Sequence, residues 1–250
     1  MAPKKPFLFT TSWDDGTVHD LRLAELLSKY ELPATFYISK HHDYGYLPET
    51  NVRELGKVFE LGAHTLNHVI LNSVSDEIAE TEIKRSKSWI EQLHGKTCEM
   101  FCFPRGKFHQ RHLKMVQRVG FTGARTVELM SLDFPLLHSG IRLLGTTIQC
   151  FPHKSSQYLR NIGSRRKPAN LWCYLQTTRG KDWPAAARSL LMRAQFHAGV
   201  FHLWGHAWEI EQFGLWQQLE EFFRAAAECR TYGMYVTNGQ LCNLDCSKSR

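Results

Sequence analysis

Two adjacent carboxylates, Asp14 and Asp15, stand in the stretch FTTSWDDG between an apolar run and a glycine. Further on, His64 and His68 sit four apart in HTLNH. Two imidazoles and one carboxylate make the three-ligand set of a catalytic divalent metal, with a position left for water. A bound ion brings the pKa of its water down to about 7, and a nearby carboxylate can take the proton. Adjacent acids then have a reason: one holds the metal, the other stays free as general base, and the ion's charge offsets their repulsion. The plain alternatives are acids solvated in a turn or capping a helix, and histidines at the surface or in the core.

Such groups need a scaffold that gathers distant segments. PFLFTTS reads as a buried strand, VHDLRLAELLSKY as a helix with its leucines at helical spacing, and PATFYIS as a second strand. NVRELGKVFELG reads as a short helix ending at Gly62 in the left-handed terminal position, followed by AHTLNH as a short strand and loop. SVSDEIAETEIKRSKSWIEQLHG is the clearest helix, with Ser73 or Ser75 as N-cap and Gly95 closing it. CEMFCFP and FTGART are strands around the helix QRHLKMVQRVG. Between 127 and 183 only IRLLGTTIQ reads as a strand, and the remainder as loops. The helix PAAARSLLMRAQFHAG, the strand VFHLWGH, the helix FGLWQQLEEFFRAAAECR and the strand GMYVTNG complete the pattern. Alternating strands and helices imply a mainly parallel sheet, open or closed into a barrel, with functional groups at the carboxyl ends of the strands.

On that scaffold four clusters converge: Asp14 with Asp15, His64 with His68, Pro104–Arg105–Gly106 in CFPRGKF, and His206 in HLWGHAWE. His202, Trp204 and His206 alternate along one strand and so share a face, with Trp204 either a cleft wall or core packing. Trp208 and Glu209 follow in a loop at the rim. His41, His42, His109 and His112 read as surface or packing residues.

Composition sets the remaining bounds. A chain of 250 residues with 43% hydrophobic and 22% charged residues suits one globular domain. No apolar run is long enough to span a membrane, and the start of the chain lacks a signal peptide's apolar region. The seven cysteines are an odd, scattered set, so reduced thiols and a cytoplasmic location are expected, with Cys242 and Cys246 structural. The net charge of +7 sits partly in GSRRKP and in Lys4, Lys5, Lys248 and Arg250. These are solvated runs, or attract an acidic substrate, nucleic acid or a membrane surface. No aromatic-basic recognition motif accompanies them, which argues against nucleic acid as a partner.

In order and spacing, TSWDDG, HTLNH, FCFPRGKF and HLWGHAWE resemble the motifs of the polysaccharide deacetylases, carbohydrate esterase family four with its NodB-like domain. The resemblance covers residues 7 to 125 and resumes near 200. It implies an α/β fold, a distorted (β/α) barrel of about seven strands in a single catalytic domain with its core over 7–240. The implied activity is hydrolysis of a carbon–nitrogen, non-peptide bond, removing an N-acyl group, foremost N-acetyl, from an amino sugar or oligosaccharide. It implies one divalent metal, zinc before cobalt or nickel, on Asp15, His64 and His68. By the same resemblance Asp14 is the general base and His206 the acid that protonates the leaving amine. The backbone N–H of Arg105 joins the metal at the oxyanion. Apart from the resemblance, the positions of Trp204, Pro104 and Trp208 at the strand ends make them the candidate substrate contacts. This chain departs from the pattern in three places. Cys102 stands where many members have the arginine that steadies the base, Arg105 replaces a tyrosine, and Trp13 a phenylalanine. Arg105 and Lys107 are the nearest cations to take the missing role. The acid that orients the catalytic histidine has no clear place, with Asp133 its candidate. A small non-sugar amide as substrate, or a catalytically silent carbohydrate-binding descendant, are the other readings.

Overall fold

The apolar run that opens the chain lies at the heart of one sheet. The computed structural model describes residues 7–244; Lys4, Lys5, Cys246, Lys248 and Arg250 lie outside them. The strands are β1 (Phe7–Asp15), β2 (Thr35–Ile38), β3 (Glu60–Ala63), β4 (Met100–Cys102), β5 (Gly123–Arg125), β6 (Leu136–His138), β7 (Ile141–Leu144), β8 (Ile148–Gln149), β9 (Val200–Gly205) and β10 (Gly233–Tyr235). The helices are α1 (Asp20–Lys29), α2 (Glu49–Val58), α3 (Asp76–His94), α4 (Gln110–Arg118), α5 (Ser155–Arg165), α6 (Pro168–Thr177), α7 (Trp183–His197), α8 (Ala207–Gln212), α9 (Trp216–Glu228) and α10 (Asn238–Asn243).

Strand order is β6-β7-β5-β4-β3-β2-β1-β9-β8, with β10 also paired to β1. Every pairing is parallel except β6 with β7. All nine residues of β1 are buried, as befits a central parallel strand covered on both faces. The two ends of the order do not meet, so the sheet is a curled half-barrel. It holds ten strands rather than about seven: the three-residue β6 was not read from the sequence, and IRLLGTTIQ contributes two strands instead of one. The core is aromatic: Phe9 stacks on Phe201 and Tyr235 at 5.6 and 4.5 Å, and Trp13 meets Phe223 edge-on.

Local signals hold where a cap fixes them. Ser75 caps α3 by accepting from Ile78 N–H, and Gly95 closes it at φ +70°. Elsewhere the structure corrects the pattern. Residues 155–177, expected as loops, form α5 and α6. The apolar IRLLGTTIQ breaks into β7 and β8 around Gly145–Thr147, because its two halves pair with opposite ends of the sheet. Helix α2 ends at Val58, and Gly62 lies inside β3 instead of closing the helix. What demands glycine there is space: a Cβ on Gly62 would lie 2.5 Å from the buried Tyr37 ring.

Gly62→Ala should therefore lower the unfolding free energy by about 1–3 kcal/mol through overpacking. A urea midpoint equal to that of the parent would mean that Tyr37 moves aside freely.

Candidate active site

Strand β1 delivers Asp14 and Asp15 at its carboxyl end, both almost fully buried. An unbroken strand would send neighbours to opposite faces. Here Asp15 takes the left-handed conformation, φ +85°, followed by Gly16 at +77°, and both carboxylates line one cleft. Gly16 is needed for space as well: a Cβ there would lie 2.5 Å from Ile38 Cγ2.

HTLNH forms the loop just after β3, as expected, turned by left-handed Thr65 and His68. Its path is pinned from outside. The buried Glu82 of α3 accepts from the Asn67 backbone at 2.9 Å and from its side chain at 2.6 Å, and Ser39 donates to the His64 carbonyl at 2.7 Å. His64 Nδ1 bonds the Cys102 carbonyl at 2.9 Å, which puts the proton on Nδ1 and leaves the Nε2 lone pair facing Asp15. Asp15 Oδ1 lies 3.5 Å from His64 Nε2 and 3.3 Å from His68 Nε2, and no hydrogen-bond donor reaches it.

Those separations suit a cation. Donors held tetrahedrally at about 2.1 Å lie about 3.4 Å apart, the spacing seen here. Protonation fits too. Burial pushes the Asp15 carboxyl up, but His206, His64, His42 and His68 outweigh it and hold it down at about 2. Burial lowers His64, and lowers His68 to about 3, so both stay neutral. An ionised acid with two neutral imidazoles is the state a divalent ion requires.

Asp14 has a different partner. The Arg125 guanidinium, fully buried at the end of β5, donates to Asp14 Oδ1. Arg125 stands beside Cys102 in the register of β4 and β5. The arginine expected on β4 is thus supplied one strand over. The Cys102 thiol approaches Asp14 Oδ2 only at 3.9 Å, and burial keeps it protonated. Trp204 and Tyr37 cover the guanidinium at 4.8 and 5.3 Å. Burial works against the Arg125 charge, but Asp14 outweighs it. Neither Arg105 nor Lys107 takes this role: Arg105, at φ +54°, points its exposed side chain along the cleft wall.

Across the cleft, His206 Nε2 lies 4.0 Å from Asp14 and 3.8 Å from Asp15. Its Nδ1 bonds Glu209 at 2.6 Å, so Glu209, not Asp133, is the acid that orients it. Trp208 and Glu209 begin helix α8 rather than a loop, and one helical turn carries the carboxylate back to the ring. Gln149 donates to Glu209 at 2.7 Å and is bonded in turn by His153. Burial lowers the His206 pKa, yet Asp15, Glu209 and Asp14 prevail and raise it to about 9.

The cleft encloses about 420 Å³, an ordinary size for a small-molecule site. Trp204 and Trp208 line it; Pro104 is buried in the turn beneath and does not. Trp208 Nε1 donates to Asp15 Oδ2 at 2.8 Å and its ring stacks on Tyr44 at 4.0 Å. His42, expected as a surface or packing residue, has its side chain buried with Nε2 3.4 Å from Asp15. His202 belongs to the core, bonded to Ser12 and the Gly145 carbonyl. Arg125 had a legible signal, a lone arginine ending a short apolar strand. His42 and Glu209 had none, because loop path and helix onset brought them in.

Residues 2–124 match the model of the polysaccharide deacetylase family. The "Putative polysaccharide deacetylase YxkH" of Bacillus subtilis (strain 168) is 24% identical over 125 residues, covering 47% of this chain and 43% of that one, less than half the relative's length. A crystal structure from Mycobacterium smegmatis, titled a putative polysaccharide deacetylase, superposes with a TM-score of 0.69 at 14% identity over 97% of this chain and 91% of that one. The chitin deacetylase of the fungal pathogen Colletotrichum lindemuthianum gives 0.60 at 13% identity over 95% and 88%. These superpositions establish the shared fold.

Arg125→Lys keeps the charge but loses the planar fork, so kcat should fall about 10–100-fold with metal content unchanged. A rate equal to the parent's would remove Arg125 from the support of Asp14.

Proposed function

Taking kinship with the polysaccharide deacetylases as the premise, we propose that residues 7–240 act as one catalytic unit. Its reaction is metal-dependent removal of an N-acyl group, foremost N-acetyl, from an amino sugar or oligosaccharide. One observation carries this reading: an open Asp15–His64–His68 donor set shares a cleft with an arginine-held carboxylate and a glutamate-held imidazole. Asp15, His64 and His68 would hold the ion, zinc before cobalt or nickel. The chemistry such an ion supplies is a lowered pKa for water and polarisation of a carbonyl. Asp14 accepts the water proton at Oδ2, the oxygen that Arg125 leaves free. His206 gives a proton from Nε2 to the departing nitrogen, while Glu209 keeps the ring charged even where a cation offsets Asp15. The Arg105 N–H faces the developing oxyanion, and Trp204 and Trp208 provide apolar walls for the sugar ring or acyl methyl. A binding module without turnover would need none of these proton-transfer groups. We place the reaction in the cytoplasm, supported by the reduced thiols of Cys98, Cys102, Cys150, Cys173 and Cys229.

A hydrolysis panel of N-acetylated oligosaccharides, N-acetyl amino sugars and small amides, supplied with zinc, cobalt or nickel, tests the substrate class. Acetate released from the sugars is the expected result, and release from the small amides alone would move the assignment to those.

Two variants separate the roles. His64→Ala should lose its metal by elemental analysis. Asp14→Asn should keep the metal and lose about 10²–10⁴-fold in kcat; a rate within twofold of the parent would remove it as base.

Glu209→Gln removes a charge that raises His206, so the protonated ring is lost at lower pH. The basic limb of the kcat profile should shift to lower pH, and an unmoved limb would show that Glu209 does not tune the acid.

A further inference from the structure

The positive charge of this chain is concentrated. Residues 154–197 hold nine Lys and Arg against one acid, Asp182, a formal +8, while the rest holds 22 against 23, or −1. This segment builds α5, α6 and α7. The three helices pack side by side: Tyr158 of α5 meets Tyr174 of α6 at 5.5 Å, and Arg193 of α7 donates to Gln176 of α6 at 2.7 Å.

The outer face of this layer is apolar as well as basic. Helix α6 turns Cys173, Tyr174 and Thr177 inward and leaves Leu171, Trp172 and Leu175 outside, Trp172 at 59% exposure. Helix α7 buries Leu190, Leu191 and Ala194 and exposes Met192 and Phe196, one turn apart, Phe196 at 77%. Cations flank these side chains: Arg188 one turn before Met192, Arg179 in the turn just past the end of α6, and Arg160 next to the exposed Leu159. Among the described residues, no ion pair engages Arg160, Arg179 or Arg188.

We propose that the outer face of α5, α6 and α7 docks this protein on an anionic lipid bilayer. Trp172 and Phe196 enter at headgroup depth and the unpaired arginines meet the anionic headgroups. Charge complementarity selects a polyanion, and the apolar side chains select among polyanions. Nucleic acid would neutralise the arginines but leave Trp172, Met192 and Phe196 in water. A bilayer interface satisfies both sets. Among the described residues no helix is long and apolar enough to cross a membrane, so the contact is peripheral. The inner side of α5 lines the active-site cleft through Gln157 and Asn161, so docking by this layer holds the cleft close to the bilayer.

Flotation of the full chain with vesicles of phosphatidylcholine and phosphatidylglycerol, against phosphatidylcholine alone, tests this. Binding should require phosphatidylglycerol, weaken as salt rises, and fall about fivefold for each of Arg160→Gln and Arg188→Gln. Trp172→Ser with Phe196→Ser should lose the binding that survives salt, while retaining the parent's melting temperature. Equal binding to neutral vesicles, or variants that bind as the parent does, would overturn the proposal. So would tighter retention on duplex DNA than on anionic vesicles at the same salt. A dimer abolished by Trp172→Ser would also overturn it, assigning the face to a second copy.

Discussion

Two carboxylates buried side by side must each be neutralised without neutralising the other's chemistry. An uncompensated buried charge costs several kcal/mol, so the fold around β1 has to supply two separate counter-charges within one cleft. Asp14 receives the Arg125 guanidinium, and Asp15 faces the charged His206 ring at 3.8 Å and accepts the Trp208 indole N–H. That division makes one acid a fixed acceptor and leaves the other with an unfilled oxygen. The left-handed turn at Asp15 and Gly16 is what allows both to face the same space.

The arginine beside Asp14 illustrates how a sheet tolerates rearrangement of a site. Residues in register on neighbouring parallel strands point to the same face, so a long side chain on β5 reaches where one on β4 would. With Cys102 small enough to leave room, Arg125 fills the position from the side and lies against the Trp204 and Tyr37 rings. Gly62 lets Tyr37 take that place. A packing choice on β3 is therefore connected, through one ring, to the guanidinium that holds Asp14.

The histidine on the far wall is prepared by a different device. A strand ends at Gly205, His206 precedes the first turn of α8, and Glu209 returns to it within that turn. Gln149 at the end of β8 and His153, from the segment after it, extend the chain of hydrogen bonds toward α5. The wall of the cleft is thus continuous with the basic helical layer, and the same helix serves the site on one side and the surface on the other.

The chain by itself determined the strand-ending clusters. Asp14 with Asp15, His64 with His68, and His206 are recognised by type, spacing and position after apolar runs, all of which are local. It also determined the alternating α/β order and the caps of α3, because those depend on a few neighbouring residues. Tertiary structure alone decided which cation meets Asp14, since that follows from strand register between β4 and β5. It decided that His42 enters the cleft, since the loop after β2 is held by backbone bonds to Leu66. It placed α5 and α6 where no periodicity was read, and it moved Gly62 from a helix end to a strand. In each case the deciding contact joins residues far apart in sequence, and only their shared burial brings them together.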